Sequence, residues 1–243
     1  MWLKMTNNNY SPNFSLPKRK KNKIKFIIIH YTGMKTETGA IKRLCNPVAK
    51  VSSHYFIKKN GEILCLIPDL YEAWHAGKSK WKNYHSLNKY SIGIEIHNSG
   101  HDYFCESYSL NQIRSLKKLL KNLMKNYKVK NRNILGHSDI SPDRKKDPGE
   151  KFPWKDLFKA KLAHWHSLEE KMLSKKRLIK LTRFEENQLL NNLFKIGYDK
   201  SKLKNYSSKK KILLKAFQRR YRQNLINGLA DQECLLISKN LIK

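Results

Sequence analysis

Short apolar runs separated by polar turns predict β-strands over roughly the first two thirds of the chain. Ile24–His30 is an unbroken, β-branched apolar run, which is typical of a strand buried on both faces. In Ser91–His97 isoleucine alternates with Gly, Glu and His, so one face is apolar and the other is polar. Tyr55–Lys58 and Glu62–Ile67 flank Asn60-Gly61, a pair that favours a tight hairpin. These patterns predict a sheet that includes a hairpin.

Helical spacing is interleaved with these strands. Residues 109–127 carry an apolar stripe that predicts an amphipathic helix, formed by Leu110, Ile113, Leu116, Leu120 and Met124. Ile134–His137 resembles the end of another strand and opens into a loop rich in Pro, Gly and Asp, with a helix from about Trp154. Because strands and helices mix along the chain, we predict an α/β fold with a mixed central sheet flanked by helices.

After Lys159 the pattern becomes nearly all helical. We predict helices over residues 160–180, 184–196, 209–222 and 231–239. Gly197 and Gly228 stand where helices would end or turn. The chain is therefore expected to contain three parts: an α/β domain over residues 1–160, a basic helical linker over 161–182, and a small helical domain over 183–243.

The chain is strongly basic, with 51 Lys and Arg against 19 Asp and Glu and a formal net charge of +32. Such a surplus can attract an anionic polymer, including nucleic acid. The charge is spread over both halves, however: residues 159–243 carry 21 basic against 7 acidic residues. A nucleic-acid-binding surface is usually a patch or a stripe. We therefore expect a solvated basic surface and no nucleic-acid partner, and we keep attraction to another anionic polymer as the alternative.

Cysteine usage and the N-terminus bear on the environment of the protein. The four cysteines are far apart and form no CxxC pair, which argues against a disulfide scaffold and a thiolate zinc site. No apolar run approaches the ~18 residues of a membrane span. Residues 1–15 are polar and lack the apolar centre of a signal peptide. We expect a cytoplasmic protein, with export by another route as the alternative; no pattern bears on the oligomeric state.

Three polar residues have the composition of a metal site. His30 ends the first apolar strand, at the edge of a sheet where ligands often bind. Taken alone, such a histidine is more often a hydrogen-bonded structural residue. His137 and Asp147 lie ten residues apart across a loop and could meet at one metal. Two imidazoles and a carboxylate, with a fourth position open to water, are typical of a catalytic zinc site, whereas structural sites close that position.

Five segments stand out along the chain: IIIHYTG (27–33), SSHYFIKKNGEI (52–63), WHAG (74–77), SIGIEI (91–96) and GHSDISPDRKKDPG (136–149). In this order they resemble the type-2 N-acetylmuramoyl-L-alanine amidases, a family that includes the peptidoglycan-recognition proteins. The resemblance covers residues 8–158 and is closest to the AmpD/AmiD branch, because Asp147 stands where some relatives carry Cys. The Ser11–Phe14 opening and the appended helices favour the AmiD side.

The resemblance implies a zinc-dependent hydrolase that acts on peptidoglycan or muropeptides. The bond cleaved would be the amide between the lactyl group of N-acetylmuramic or anhydro-muramic acid and L-alanine. By position, His30, His137 and Asp147 match the zinc ligands for one Zn²⁺ per chain. Glu95 matches the catalytic carboxylate and Lys145 the catalytic lysine.

Further residues are implied as substrate-binding. Trp74 and His75 would line the substrate groove, with packing as the alternative for both, and Asn98 is a weaker candidate for the same role. Arg144 and Lys146 are alternatives to the catalytic lysine, but the spacing to the third zinc ligand favours the residue between them.

The helical region has a weaker resemblance of its own. Leu189–Tyr198, Ile212–Tyr221, Gly228 and Asp231 resemble the small three-helix peptidoglycan-binding domain. The alternative is a helical bundle that packs against the first domain. Two rival functions also stay open: a peptidoglycan-recognition protein without catalysis, which a complete ligand and catalytic set disfavours, and a basic nucleic-acid-binding protein.

Overall fold

The computed structural model describes residues 10–200 and 206–243, and a mixed five-stranded sheet lies at its centre. The strands are β1 Phe14–Ser15, β2 Phe26–Tyr31, β3 Tyr55–Ile57, β4 Ile63–Cys65, β5 Glu72–Ala73, β6 Lys80–Trp81, β7 Tyr84–His85, β8 Ser91–Ile96 and β9 Ile134–Gly136. The central sheet has the order β4-β3-β8-β2-β9, in which only β4 runs antiparallel to its neighbour. The predicted α/β class and mixed sheet are confirmed.

The sequence pattern of each strand matches its place in the sheet. β2 is flanked by β8 and β9, and Phe26–Ile29 are at most 2% exposed, as expected for an unbroken apolar run. The predicted hairpin is formed by β3 and β4, with Tyr55 opposite Cys65. In β8 the polar face is buried as well, because Gly93 and Glu95 are covered rather than solvated. This covered polar face is where the candidate site forms.

Helices surround the sheet. They are α1 Glu37–Cys45, α2 Leu110–Tyr127, α3 His137–Ile140, α4 Trp154–Lys159, α5 Glu170–Lys176, α6 Arg183–Ile196, α7 Tyr206–Tyr221 and α8 Gln232–Leu241. The long helix α2 begins with a capping box between Ser109 and Gln112. It buries Ile113, Leu116 and Leu120 of the predicted stripe, whereas Leu110 at its start is exposed. The sequence pattern did not indicate α1, which buries only Ala40 and Leu44 and has too short an apolar stripe to be recognised.

One predicted helix is wrong in extent. The pattern suggested a helix over residues 160–180, but only Glu170–Lys176 is helical. Lys161 has a left-handed φ of 61°, which interrupts an α-helix, and the residues after it follow the core in an irregular path that buries Leu162, Ala163 and Trp165. These buried side chains lie at closely spaced positions and not at helical spacing. Their packing therefore favours an irregular connection over a helix.

The C-terminal helices and the α/β part share one continuous apolar core. The ring of Trp81 lies 5.0 Å from that of Tyr198, and Gln223 donates a hydrogen bond of 2.7 Å to the carbonyl of Phe152. The division at residues 160 and 182 stays a prediction, and residues 1–9 of the expected first domain lie outside the described part. Within the described residues no helix combines the length and apolar character needed to cross a membrane.

A pair of leucines on α2 tests the core. Leu116 is fully buried, whereas Leu110 on the same helix is 75% exposed. Leu116→Ala leaves a cavity and should lower the free energy of unfolding by about 2–5 kcal/mol. Leu110→Ala is the matched control and should change it by about 0.5 kcal/mol or less. Urea unfolding followed by circular dichroism measures both; equal losses would contradict this packing of α2.

Candidate active site

The register of three parallel strands brings the predicted polar residues together. In the pairing of β2 with β8, His30 stands opposite Glu95. In the pairing of β2 with β9, Ile29 stands opposite Gly136, so that His137 follows beside His30. Side chains at matched positions of neighbouring strands point to the same face. Glu95 and His137 therefore flank His30 at the carboxyl edge of the sheet, where α/β proteins place their ligands.

Three donor atoms converge at this edge. His30 Nδ1 lies 2.9 Å from His137 Nδ1 and 3.0 Å from Asp147 Oδ2, and His137 Nδ1 lies 3.0 Å from the same oxygen. Asp147 reaches the site from the loop after α3, where its carbonyl accepts a 2.9 Å hydrogen bond from the Ser138 amide. All three side chains are buried. They are the residues that the sequence suggested as metal ligands.

The hydrogen bonds on the far side of the two imidazoles orient these donors. His137 Nε2 lies 3.2 Å from the carbonyl of Ala76, to which only a protonated nitrogen can donate. His30 Nε2 lies 3.0 Å from His75 Nδ1, and His75 Nε2 lies 3.2 Å from the Ser91 hydroxyl. With each Nε2 donating outward, both Nδ1 lone pairs face the centre, as in metal-binding histidines.

His75 holds His30 only because strand β8 has a glycine beneath it. A Cβ atom at Gly93 would lie 2.4 Å from His75 Cγ, far inside van der Waals contact. The same glycine amide donates to His54 Nδ1 at 3.0 Å, which explains a second buried histidine as a structural residue. The polar face of β8 is thus shaped to accept an imidazole.

The charge states at the centre suit a cation. Burial lowers the pKa of His30 to about 4, so its imidazole is neutral. Two imidazole lone pairs and a carboxylate oxygen repel one another at 3 Å unless a cation lies between them. This donor set fits a divalent metal with nitrogen and oxygen ligands.

Glu95 is a carboxyl group in an environment that disfavours its charge. It is 9% exposed, and its Oε2 has no hydrogen-bond partner among the described residues. Burial raises its pKa well above the usual 4.5, the negative Asp147 raises it further, and the positive Lys145 opposes both. Buried polar groups are normally hydrogen-bonded, so an unpartnered carboxyl beside a metal-type triad is typical of a functional group.

A cavity of about 410 Å³ opens over these groups. Its lining includes Glu95, Lys145 and Lys146. Arg144 also reaches it, but its Nη2 donates to the carbonyls of Ala76 at 3.0 Å and Lys78 at 2.9 Å. The guanidinium is therefore engaged with the backbone, which leaves the two lysines as the cations of this loop that border the open cavity.

The residues suggested as substrate-binding lie in different places. His75 lines the cavity as well as supporting the triad. Trp74 is turned away, its indole donating to the Ser15 hydroxyl at 2.8 Å. Asn98 is buried and donates to the carbonyl of Glu106 at 2.7 Å. Among the described residues neither Trp74 nor Asn98 is part of the cavity lining, so a substrate contact by any of the three stays a prediction.

Sequence reasoning did not identify a second polar group beside the cavity. The Tyr31 hydroxyl lies 2.8 Å from His101 Nδ1, and His101 Nε2 lies 3.0 Å from Glu150 Oε2. Cys105 approaches the same cluster, and Arg219 lies 3.8 Å from the Glu150 carboxylate. Because both nitrogens of His101 are already engaged, the cluster is an ion-paired support for Tyr31. Only the motif position of Tyr31, directly after His30, could have drawn attention to it.

The raised pKa of Glu95 predicts how the stability of the metal-free protein depends on pH. The folded, metal-free protein holds this proton more tightly than the unfolded chain. Stability is therefore retained below about pH 4.5 and falls as pH rises towards the raised pKa, by about 1.4 kcal/mol for each unit of the shift. Glu95→Gln should then raise the melting temperature at pH 8 in the presence of a chelator, and the gain should vanish near pH 4.5.

Glu106 offers a control of opposite sign. A hydrogen bond from Lys59, at 2.9 Å, lowers the pKa of this half-buried carboxyl. Glu106→Gln should leave the melting temperature at pH 8 unchanged or slightly lower. If Glu95→Gln also failed to stabilise the metal-free protein at pH 8, the carboxyl would have compensating partners and the argument from burial would be wrong.

Comparison with known proteins identifies the family. The profile of the N-acetylmuramoyl-L-alanine amidase family matches residues 20–150. N-acetylmuramoyl-L-alanine amidase AmiD of Escherichia coli K12 is 32% identical over 234 residues, which cover 91% of this chain and 83% of that protein.

Two solved structures share the fold over nearly the whole chain. E. coli AmiD, in complex with the substrate anhydro-N-acetylmuramic acid-L-Ala-D-γ-Glu-L-Lys, has a TM-score of 0.79 at 29% identity and covers 94% of this chain and 92% of that one. AmpDh3 of Pseudomonas aeruginosa, in complex with anhydromuramic pentapeptide, has a TM-score of 0.77 at 30% identity and covers 99% and 98%. These likenesses confirm the resemblance seen in the sequence and the enzyme class it implied: this chain belongs to the N-acetylmuramoyl-L-alanine amidase family.

Proposed function

We propose that this chain uses one zinc ion to hydrolyse the amide bond between the lactyl group of a muramoyl residue and L-alanine. The observation that carries this proposal is the unpartnered, buried Glu95 carboxyl beside a converging triad of two imidazoles and a carboxylate. A recognition protein that only binds its ligand gains nothing from burying such a carboxyl at a metal-type site. The catalytic function is therefore favoured over the non-catalytic alternative.

His30, His137 and Asp147 would hold the zinc. Their donor atoms lie 2.9–3.0 Å apart, close to the ~3.3 Å that separates N and O ligands of a tetrahedral zinc ion. A zinc ion bound with one open position supplies a Lewis acid that polarises a carbonyl and makes water a better nucleophile. The three side chains fix its position, and the support from His75 limits rotation of the His30 ring.

Glu95 is proposed as the general base and then the general acid. Hydrolysis requires water to lose a proton as its oxygen bonds to the carbonyl carbon, and the departing alanine nitrogen to gain one as the C–N bond breaks. A single carboxylate beside the cavity can accept the first proton and return it to the nitrogen, so that protons balance over one cycle. A raised pKa suits this role, because a larger fraction of the carboxyl is then protonated near neutral pH and can deliver the proton.

Lys145 is proposed to stabilise the negative charge that develops on the carbonyl oxygen. It lines the cavity, and its charge acts on both Glu95 and His30. A fixed cation placed where an oxyanion forms lowers the barrier without rearranging during the reaction. The engagement of Arg144 with the backbone supports this choice over the residue before it.

The substrate class follows from the relatives and from the cavity. The solved AmiD and AmpDh3 complexes hold anhydro-muramoyl peptides. Arg43, Lys145 and Lys146 line the cavity of this chain and suit a peptide that carries carboxylates. We propose that both anhydro and ordinary muramoyl peptides are cleaved. Wall binding by the C-terminal helices and a cytoplasmic location stay predictions, the latter based on a stretch partly outside the described residues.

Product analysis tests the reaction and the substrate range together. Incubation with N-acetylmuramoyl and anhydro-N-acetylmuramoyl peptides should yield, by mass spectrometry, a free sugar acid and a peptide with a new N-terminal L-alanine from each. Turnover of the anhydro substrate alone would contradict the broader range. Cleavage of any other bond would contradict the proposed reaction itself.

Two substitutions test the catalytic roles. Glu95→Gln should keep bound zinc and lower kcat about 10²–10⁴-fold, because the proton carrier is lost with little change in volume. Lys145→Ala should lower kcat about 10²-fold or more through the lost oxyanion contact. Lys146→Ala is the matched control, because Lys146 also lines the cavity. This substitution should lower kcat less than about 10-fold. Near wild-type turnover by Glu95→Gln, or an equal loss in both lysine variants, would show that these roles are misassigned.

A further inference from the structure

The metal-ligand turn that carries His137 is tied to the C-terminal helices through Asp139. This carboxylate is 1% exposed and lies two residues beyond the predicted ligand. It accepts a hydrogen bond of 2.8 Å from the Gly136 amide, which closes the turn from within. Its other partners are remote in sequence: the Tyr198 hydroxyl donates at 2.9 Å and Arg220 Nη1 at 2.7 Å. Both come from the region after residue 182.

Arg220 holds more than one point of this turn. Its Nη2 donates a 2.9 Å hydrogen bond to the carbonyl of Ile134, the first residue of β9. Its guanidinium carbon lies 3.9 Å from the ring centroid of Trp154. The side chain is itself 1% exposed, so its position is fixed by packing as well as by charge. One guanidinium therefore bridges the start of the strand and the turn at its end, with His137 between the two contacts.

Removal of these partners would not leave the turn as it is. A buried carboxylate whose cation is lost retains the cost of its desolvation and is driven towards water. Asp139 cannot move towards water without shifting the backbone of the four-residue helix α3, which begins at His137. The direction of His137 Nδ1 towards the proposed metal position thus depends on Arg220 of α7 and on Tyr198, two residues after the end of α6.

We propose that Tyr198 and Arg220 are positioning residues of the metal centre, which act on His137 through Asp139. The inference rests on the proposed zinc-dependent function. It assigns to the C-terminal helices a part in metal binding, separate from any part in binding the cell wall. A chain that ended near residue 182 would lack both groups and should bind zinc weakly even where its sheet is folded.

The competing explanation is that the contact only stabilises the fold, and metal affinity separates the two. Zinc affinity of the full chain is measured by competition with a chromophoric chelator, alongside the melting temperature of the metal-free protein. Arg220→Met keeps an unbranched apolar side chain but removes the charge and the hydrogen-bond donors, and should weaken zinc binding about 10–100-fold. Tyr198→Phe removes one hydroxyl and should weaken it about 5-fold. Arg220→Lys keeps the charge but not both donors, and should fall between wild type and Arg220→Met.

Arg222→Met is the matched control. Arg222 directly follows α7, is also buried and forms an ion pair with Asp231, the residue that caps the start of α8. Its replacement should lower the melting temperature and change zinc affinity by less than about 2-fold. His137→Ala sets the level of binding without the site.

The outcomes separate the two proposals. Weaker zinc binding in Tyr198→Phe and Arg220→Met, at the expected magnitudes and without the same loss in Arg222→Met, supports the positioning role. Wild-type affinity in folded Tyr198→Phe and Arg220→Lys would overturn it, whether or not Arg220→Met folds, and would leave the zinc site intact. If wild type bound no zinc, or His137→Ala bound as much as wild type, the zinc-dependent function would fail and this inference with it.

Discussion

The parallel register of β2 with its two neighbours is the constraint on which the site depends. Because His30 stands opposite Glu95 and beside the residue that follows β9, the alignment of β2 with these two neighbours sets the spacing of two proposed metal ligands and a carboxyl. A shift of one residue would turn each side chain to the other face of the sheet. Sliding β2 along its neighbours would also bring the polar residues that flank its buried apolar run into the core, which opposes such a shift.

The site is held by a shell of neutral and charged contacts that reach it from distant parts of the chain. His75 and Ser91 support one imidazole, the Ala76 carbonyl supports the other, and the pair Asp139–Arg220 fixes the turn between strand and ligand. Each contact is made on the side of the residue that points away from the cavity. The groups that face the cavity therefore remain available for the reaction. The contacts behind the site stabilise the folded protein, whereas the buried, unpartnered Glu95 carboxyl that faces the cavity lowers its stability.

Much of this arrangement could be predicted from the sequence. Strand periodicity located β2 and β8, and polar residues at strand ends identified His30 and His137 before any contact was known. The sequence pattern does not indicate helix α1, because its two buried residues make too weak an apolar stripe. It wrongly predicts a helix over residues 160–169, because burial of Trp165 outweighs helical spacing there.

The supporting contacts were beyond sequence reasoning for a different reason. Tyr198 and Arg220 meet Asp139 across 59 and 81 residues, and only tertiary packing sets such pairs. The hydrogen bonds that Trp74 and Asn98 donate to the Ser15 hydroxyl and the Glu106 carbonyl are likewise tertiary contacts that local sequence did not reveal.

The glycine beneath His75 limits how this active site can change over evolution. With only 2.4 Å between a Cβ at position 93 and the imidazole, alanine is already too large there, and any substitution requires His75 to change as well. A substitution at position 93 alone therefore cannot remodel this wall of the cavity, whereas paired substitutions at positions 75 and 93 can. A library built to alter substrate range should couple these two positions, since varying either one alone samples mainly variants with a displaced His30.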